Sequence, residues 1–291
     1  MSITLHHPTT AATYAAQSLS ANTRRAYRSA WQAWVRWCGA IDPLTGTPEA
    51  VAAYLAERAS AGQSVSSIRT ARAAIREAYK LAGVQLDWDD PALVRTIAGI
   101  GRAVGAAPRH QARPATPDVL RAMLAVTDSK RDRALILVGF AGALRRSEIA
   151  ALAMADLEWD ARGLVLHVRR SKTDQEGRGA MRAIPHGPPG CCPVTAVREW
   201  LTVRGEAPGS LFGIGPQWIC LLVQAAARRA GLGDGFSGHS LRAGFATACA
   251  QAAVPLADMM AVTGHKSVET ALGYVRRETV WDNSALRKVW G

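Results

Sequence analysis

Acidic residues are scarce in this chain, and so are the features that would tie it to a membrane, a disulfide framework or a bound nucleotide. In 291 residues, 35 lysines and arginines face 23 aspartates and glutamates, a formal net charge of +12. A field of that sign draws polyanions, and phosphate neutralisation by Lys and Arg dominates nucleic-acid affinity. An anionic membrane surface would answer to the same charge, so charge alone does not choose the partner. No apolar run approaches the roughly 18 residues of a membrane span, and no basic-then-apolar leader opens the chain. The reading is a cytoplasmic, nucleoid-associated protein with no membrane partner. Five cysteines are an odd number, and none are paired as C-x-x-C, so reduced thiols are expected and a zinc site is not. His6-His7 falls in the tail and is not read as a metal pair. There is also no G-x-x-x-x-G-K-[ST] loop. No cofactor and no metal are expected.

What is present divides the chain into two domains, as its length allows. Residues 1–18 read as a flexible tail. From residue 19 to 105 helical patterns follow one another. Trp31, Trp34, Val35 and Cys38 recur at helical spacing, a stripe that reads as core. Thr47-Pro48-Glu49 has the hydroxyl, proline and early carboxylate of a helix start. Ser64 begins a run that turns Ile68, Ala71, Ile75 and Tyr79 inward, and Gly83 closes it. Its other face carries Arg69, Arg72, Arg76 and Lys80. That stripe is either merely solvated or follows a phosphate backbone, and the scarcity of acids beside it, Glu77 alone, favours DNA. Pro91 to Val104 predicts a fourth helix.

Residues 106–115 break all periodicity, and Arg109 and Arg113 make this a basic linker suited to lie along phosphates. Thr116-Pro117-Asp118 then opens a second domain, 116–291. Ala134 to Val138 and Ile149 to Leu152 predict buried helix. Leu164, Leu166 and Val168 alternate with Val165, His167 and Arg169 as a half-buried strand, with a hairpin tip at 177–179 and a return over Met181 to Pro185. Helices resume at Thr195, Gln217, Ser240, Leu256 and Ser267. The fold class is mainly α: an all-α N-terminal domain plus an α+β domain with a small antiparallel sheet.

Six residues of that second domain form a chemical set. Arg145, Lys172, His239, Arg242, His265 and Tyr274 supply two guanidiniums, an ammonium, two imidazoles and a phenol. A phosphodiester repels nucleophiles and has a poor leaving group. A metal-free catalyst must therefore supply a nucleophile, cations for the transition state and a proton for the departing oxygen. Guanidinium forks bind two phosphate oxygens at once and stay charged near neutrality. His239 and Arg242 are three apart and share a helix face. Gly264 can end one helix and Ser267 cap the next, which places His265 on the turn and Tyr274 about two turns into the new helix.

The strings Leu144-Arg145-Arg146-Ser147-Glu148, Ser171-Lys172-Thr173, His239-Ser240-Leu241-Arg242 and Gly264-His265 followed by Tyr274 resemble the tyrosine recombinases of the phage-integrase, Xer and Cre type. The resemblance is strong over roughly the last 180 residues, while the N-terminal part resembles the core-binding domain of that family in pattern only. It implies that Tyr274 attacks the scissile phosphate and is joined to the 3′ end. Arg145 and Arg242 would hold the phosphate, His239 transfer a proton or bind phosphate, His265 bond a nonbridging oxygen and Lys172 protonate the 5′ leaving group. Glu148 resembles the acid that orients neighbouring cations, and Arg146 reads as surface or DNA backbone contact. Ala243 stands where many relatives carry histidine, which points away from the Xer group. With no arm-binding domain ahead of the helical one, the chain resembles the short recombinases.

The implied partner is double-stranded DNA with a specific site, bound by a homotetramer and joined by accessory proteins where a system uses them. The implied outcomes are integration, excision or resolution. Trp281, Ala285, Leu286 and Val289 predict a terminal amphipathic helix, which either folds back or docks on the next protomer. A type IB topoisomerase shares this chemistry, and a non-catalytic architectural DNA-binding protein shares the charge. The tryptophan-rich helical N-terminal part and the complete set of six favour a recombinase.

Overall fold

Our computed structural model describes residues 19–105, 111–169, 179–265 and 267–278, and not the side chains of 275–278. Contacts divide the chain into two units at Arg109 and His110.

The first unit is helical: α1 (Ala21–Cys38), α2 (Pro48–Ser60), α3 (Val65–Leu81) and α4 (Pro91–Val104). Each start is capped by the residue type the sequence offers. The hydroxyls of Ser20, Thr47 and Ser64 and the carboxylate of Asp90 accept backbone N–H groups of the first turn. Trp34 is fully buried against Tyr54, ring centroids 5.1 Å apart, and its indole N–H donates to Pro43 O at 2.9 Å. Tyr79 donates to the same carbonyl at 2.9 Å and accepts from Gly46 N at 3.0 Å, so a buried ring pair gathers the α1–α2 loop. Gly46 is required there, because a Cβ would lie 2.9 Å from both Trp34 and the Tyr79 hydroxyl. Trp31 is only partly buried, at the edge of this core.

The second unit begins with α5 (Pro117–Ala125), α6 (Lys130–Ala141) and α7 (Arg146–Ala151). The antiparallel sheet follows: β1 (Leu157–Asp160), β2 (Gly163–Val168) and β3 (Ala180–Pro185), in the order β1-β2-β3. Then come α8 (Pro193–Arg204), α9 (Pro216–Arg229), α10 (His239–Gln251), α11 (Leu256–Thr263) and α12 (Val268–Glu278). Ala134 to Val138 of α6 are buried on every side, which is why that stretch shows an apolar run instead of a stripe. Strand β1 has no counterpart in the sequence reading: four residues reading Leu-Glu-Trp-Asp, with intermediate or exposed side chains, carry no alternation to detect. The Gly177 to Gly179 tip lies largely in the undescribed stretch 170–178.

The expected linker proves divided. Residues 111–115 belong to the second unit: Arg113 N–H donates to Gly235 O and Ala115 N–H to Ser240 O, each at 2.9 Å. Ala115 is fully buried, and Gly244 of α10 leaves the room it occupies, since a Cβ there would stand 2.0 Å from Ala115 O.

Candidate active site

Three separated segments of the second unit carry the site. The first is the turn from α6 into α7. Ala143 takes a left-handed backbone, φ 47°, unfavourable for any residue with a Cβ. Fully buried Leu144 and the bond from Leu144 N–H to Gly139 O at 3.0 Å hold it there. The Ala143 carbonyl accepts a 2.8 Å hydrogen bond from Arg242 Nη1, ninety-nine residues on. Arg145 is the N-cap of α7 and not a helical residue, so it does not share a helix face with Glu148, the third residue of that helix. The two meet by capping instead. Buried Glu148 accepts from Arg145 N–H through Oε2 at 2.8 Å and from Arg145 Nη1 through Oε1 at 2.7 Å. One carboxylate thus fixes both the backbone and the guanidinium of Arg145.

The second segment is the start of α10. His239 is its first residue and Arg242 follows one turn later. α6 approaches closely through Gly139, where a Cβ would fall 2.7 Å from Leu241 Cδ1 and 2.8 Å from Ile149 Cδ1. Arg242 is 2% exposed, and its Nη2 has no hydrogen-bond partner among the described residues. Leaving such a donor buried and unpaired costs on the order of 1–3 kcal/mol, more for a charged group. Burial, and then the neighbouring Arg145, bring the Arg242 pKa down to about 10, still charged at neutrality.

The third segment is the α11–α12 turn. Gly264 ends α11 with φ 64°, and the Ser267 hydroxyl accepts from Thr270 N–H at 3.3 Å, as the sequence predicts. His265 stacks on Tyr274, centroids 5.8 Å apart and planes at 21°. Its Nδ1 lies 3.0 Å from Thr263 Oγ1, whose own hydrogen goes to Met259 O at 2.8 Å. The hydroxyl can therefore only accept at Nδ1, which assigns the proton to Nδ1 and leaves Nε2 with a lone pair. Burial first, then Arg242, Arg145 and His239, push the His265 pKa down to about 4. His239 is likewise lowered, by the protein around it, then Arg242 and Arg145, although solvent reaches its side chain. Both imidazoles are neutral at pH 7 and open to a proton. Tyr274 rests against the buried cluster of Ala246, Cys249, Met259 and Ala271. Burial raises its phenol pKa, and the Arg242 charge opposes that.

The structure thus brings together five of the six singled-out residues, with Glu148 beside them. Lys172 lies outside the described residues, as does Arg109. Arg146 is exposed at the rim, its Cβ 3.1 Å from where a Cβ of Gly238 would stand. Arg69, Arg76 and Lys80 are exposed on α3, whereas Arg72 is half-buried and donates to Trp88 O at 3.2 Å. The guanidinium of Arg113 is engaged by the protein itself. It donates to Leu232 O at 2.6 Å and lies over the Phe236 ring at 4.8 Å, so it fastens the segment before α5 in place.

One residue escapes the sequence reading. Arg182 of β3 pairs across from buried Leu166 and precedes buried Ile184 by two, hence faces inward. It feels the charges of Glu148 and Arg145, and Arg242 feels it in turn. A charged residue at an inward strand position was the available signal. Arg145, Arg182 and Arg242 thus share the influence of the Glu148 carboxylate.

Cations held in that way, with a phenol beside them, can stabilise negative charge that develops on a bound group. The chain matches the phage integrase family over residues 115–279 and the N-terminal SAM-like domain of phage integrases over residues 13–83. It belongs to this family and is a tyrosine-type site-specific recombinase. An integrase/recombinase XerD homologue of Selenomonas ruminantium is 29% identical over 297 residues, 94% of this chain and 87% of that protein. The tyrosine recombinase XerD of Mycobacterium tuberculosis is 29% identical over 170 residues, 55% of this chain and 51% of that one. These relatives carry Xer names; Ala243, whose identity points away from the Xer group, is buried within α10. The fold is shared with a XerH recombinase bound to its palindromic difH substrate after cleavage (TM-score 0.65, 19% identity, 91% of this chain and 78% of that). It is shared equally with a lambda integrase dimer bound to a COC′ core site (0.65, 18%, 90% and 74%).

Proposed function

We propose that this recombinase cuts and rejoins double-stranded DNA at a specific site through a 3′-phosphotyrosyl intermediate on Tyr274. The unpartnered Nη2 of buried Arg242, set beside Tyr274 and Arg145, is the observation that carries the reading. A nonbridging phosphate oxygen would complete it.

In this reading Arg145 and Arg242 clamp the phosphate and neutralise the charge that grows in the five-coordinate transition state. The half-buried phenol of Tyr274 is a poor nucleophile until its proton leaves. The neutral imidazoles of His239 and His265 supply acceptors. His265 Nε2 takes up a proton more readily once an anion occupies the site, and then donates to a nonbridging oxygen. The attack forms the bond from the tyrosine oxygen to phosphorus and breaks the one to the 5′ oxygen, which Lys172 protonates. The phosphotyrosine keeps the energy of the cut strand, and a 5′-hydroxyl attacking it releases Tyr274. Four protomers on two sites, with accessory proteins where a system uses them, would turn cleavage into integration, excision or resolution. Residues 280–291, which lie outside the described residues, would supply the contact between protomers. The setting is the cytoplasm, at the nucleoid.

A nicked suicide duplex, which loses a short strand after cleavage, tests this. The wild-type protein should accumulate a covalent adduct and Tyr274→Phe should bind the duplex without forming any. An adduct with Tyr274→Phe would move the nucleophile elsewhere.

A further inference from the structure

The structure assigns Arg182 a positioning role: from strand β3 it fastens the C-terminal end of α11, and so holds His265 against Tyr274. This rests on the reading of Tyr274 as nucleophile, and adds a residue outside the six-residue set and its supporting Glu148.

An arginine on the inner side of a strand needs a reason, since burying its charge is costly unless its donors are used. Among the described residues no carboxylate lies within salt-bridge distance of Arg182. Its Nη1 instead donates to Met181 O at 3.2 Å and, more weakly, to Ala261 O at 3.4 Å. Ala261 O belongs to the last turn of α11, where unpaired carbonyls gather negative charge and a cation is favoured. The other arm lies against Gly264: a Cβ on that glycine would come within 2.9 Å of Nη2. Gly264 is favoured there for its left-handed φ of 64°, and a side chain in its place would have to push the guanidinium tip aside.

His265 is the next residue, so the guanidinium packs against the peptide that sets the direction of the His265 ring. From the other side, Thr263 holds Nδ1 and Tyr274 holds the face. Without the arginine the end of α11 keeps its own hydrogen bonds and the packing of Met259 but loses its tie to β3. The fork shape matters as well as the charge, because one planar group reaches Ala261 O and Gly264 together.

Two readouts test this, one without DNA. Imidazole titration by NMR follows His265, whose neighbours are Arg242, Arg145, His239, Thr263 and Tyr274. Arg182→Gln should let the ring into water and raise its pKa from about 4 toward the ordinary 6.5. Adduct formation on a nicked duplex bearing the site, taken from DNA flanking the gene, should slow about tenfold to a hundredfold at saturating DNA. Arg182→Lys, which keeps the charge without the fork, should fall between wild type and Arg182→Gln in both measurements. It carries the same test if Arg182→Gln loses its cooperative melt. An unmoved His265 titration overturns the role. If cleavage still falls, Arg182 acts on the phosphate itself; if it does not, the arginine is idle. Should the wild-type protein form no adduct, the nucleophile assignment fails while the titration still decides the latch.

Discussion

The two units of this chain treat positive charge in opposite ways. In the first, Arg69, Arg76 and Lys80 stand on the outer face of α3, over a core of Trp34, Tyr54, Tyr79 and Leu93 that contains no charge. In the second, Arg242 is buried, Arg145 is held by a buried carboxylate and Arg182 faces into the molecule. Every buried charged side chain among the described residues falls in this unit. An exposed cation meets a phosphate through water and salt, worth little each and adding up over many. A desolvated, pre-aimed cation acts on one phosphate, with its reorganisation already done during folding. Under the proposed function, the first unit would hold DNA and the second would change it.

The sharpest way to break that division is to remove one core group from each side. Trp34→Ala should cost the first unit about 3–5 kcal/mol, because a fully buried ring is replaced by a cavity. The second unit has a separate core, and calorimetry should show its transition unmoved. A joint shift of both transitions would show the two cores to be coupled. On the other side, Arg242→Ala should slow adduct formation about 10²–10³-fold at saturating DNA, the loss typical of one aimed donor. Single-turnover cleavage checks this. A loss under tenfold would mean that Arg145 and Arg182 hold the phosphate without it.

Acid should also separate the units. The described part of the first unit contains no histidine, whereas His239 and His265 of the second both titrate below the ordinary value. For a base with a depressed folded pKa, the unfolded chain binds more protons between the two values, so stability rises with pH across that window. For His265 the window runs from about 4 to about 6.5. Urea unfolding of the second unit should therefore weaken from pH 7 to 4.5, and His265→Gln should flatten part of that slope. An unchanged slope in the variant would show His265 to be solvated in the folded protein.

Caps, apolar periodicity and strand alternation are local, and that is why so much of the fold is legible in the sequence. Thr47, Ser64 and Gly264 each mark a helix end that the fold keeps. The residues of the site are legible by their chemistry. Their arrangement is not, because it is made by contacts between distant segments. The bond from Arg242 to the Ala143 carbonyl spans ninety-nine residues, and no spacing rule announces it. Arg145 acting as a cap, Arg113 fastening its own segment and Arg182 reaching α11 are of the same kind. Even the α3 stripe looks uniform in sequence, yet Arg72 turns out to be half-occupied by Trp88 O.

That last difference gives the smallest and finest test. If α3 follows a phosphate backbone, Arg69 is free to neutralise a phosphate, while Arg72 is already bonded within the unit and has a buried Nε without a partner. Each phosphate neutralised contributes about 0.9 to the slope of log affinity against log salt. Arg69→Ala should lower that slope by about one and weaken all DNA sequences alike, with no change in the melting of the first unit. Arg72→Ala should instead lower the melting temperature, because it removes the tie to the loop before α4, and should change the salt slope less. Fluorescence anisotropy at several salt concentrations measures the first quantity and thermal melting the second. Equal salt slopes for wild type and Arg69→Ala would return the stripe to a solvated face and leave the DNA contacts of the first unit to other residues.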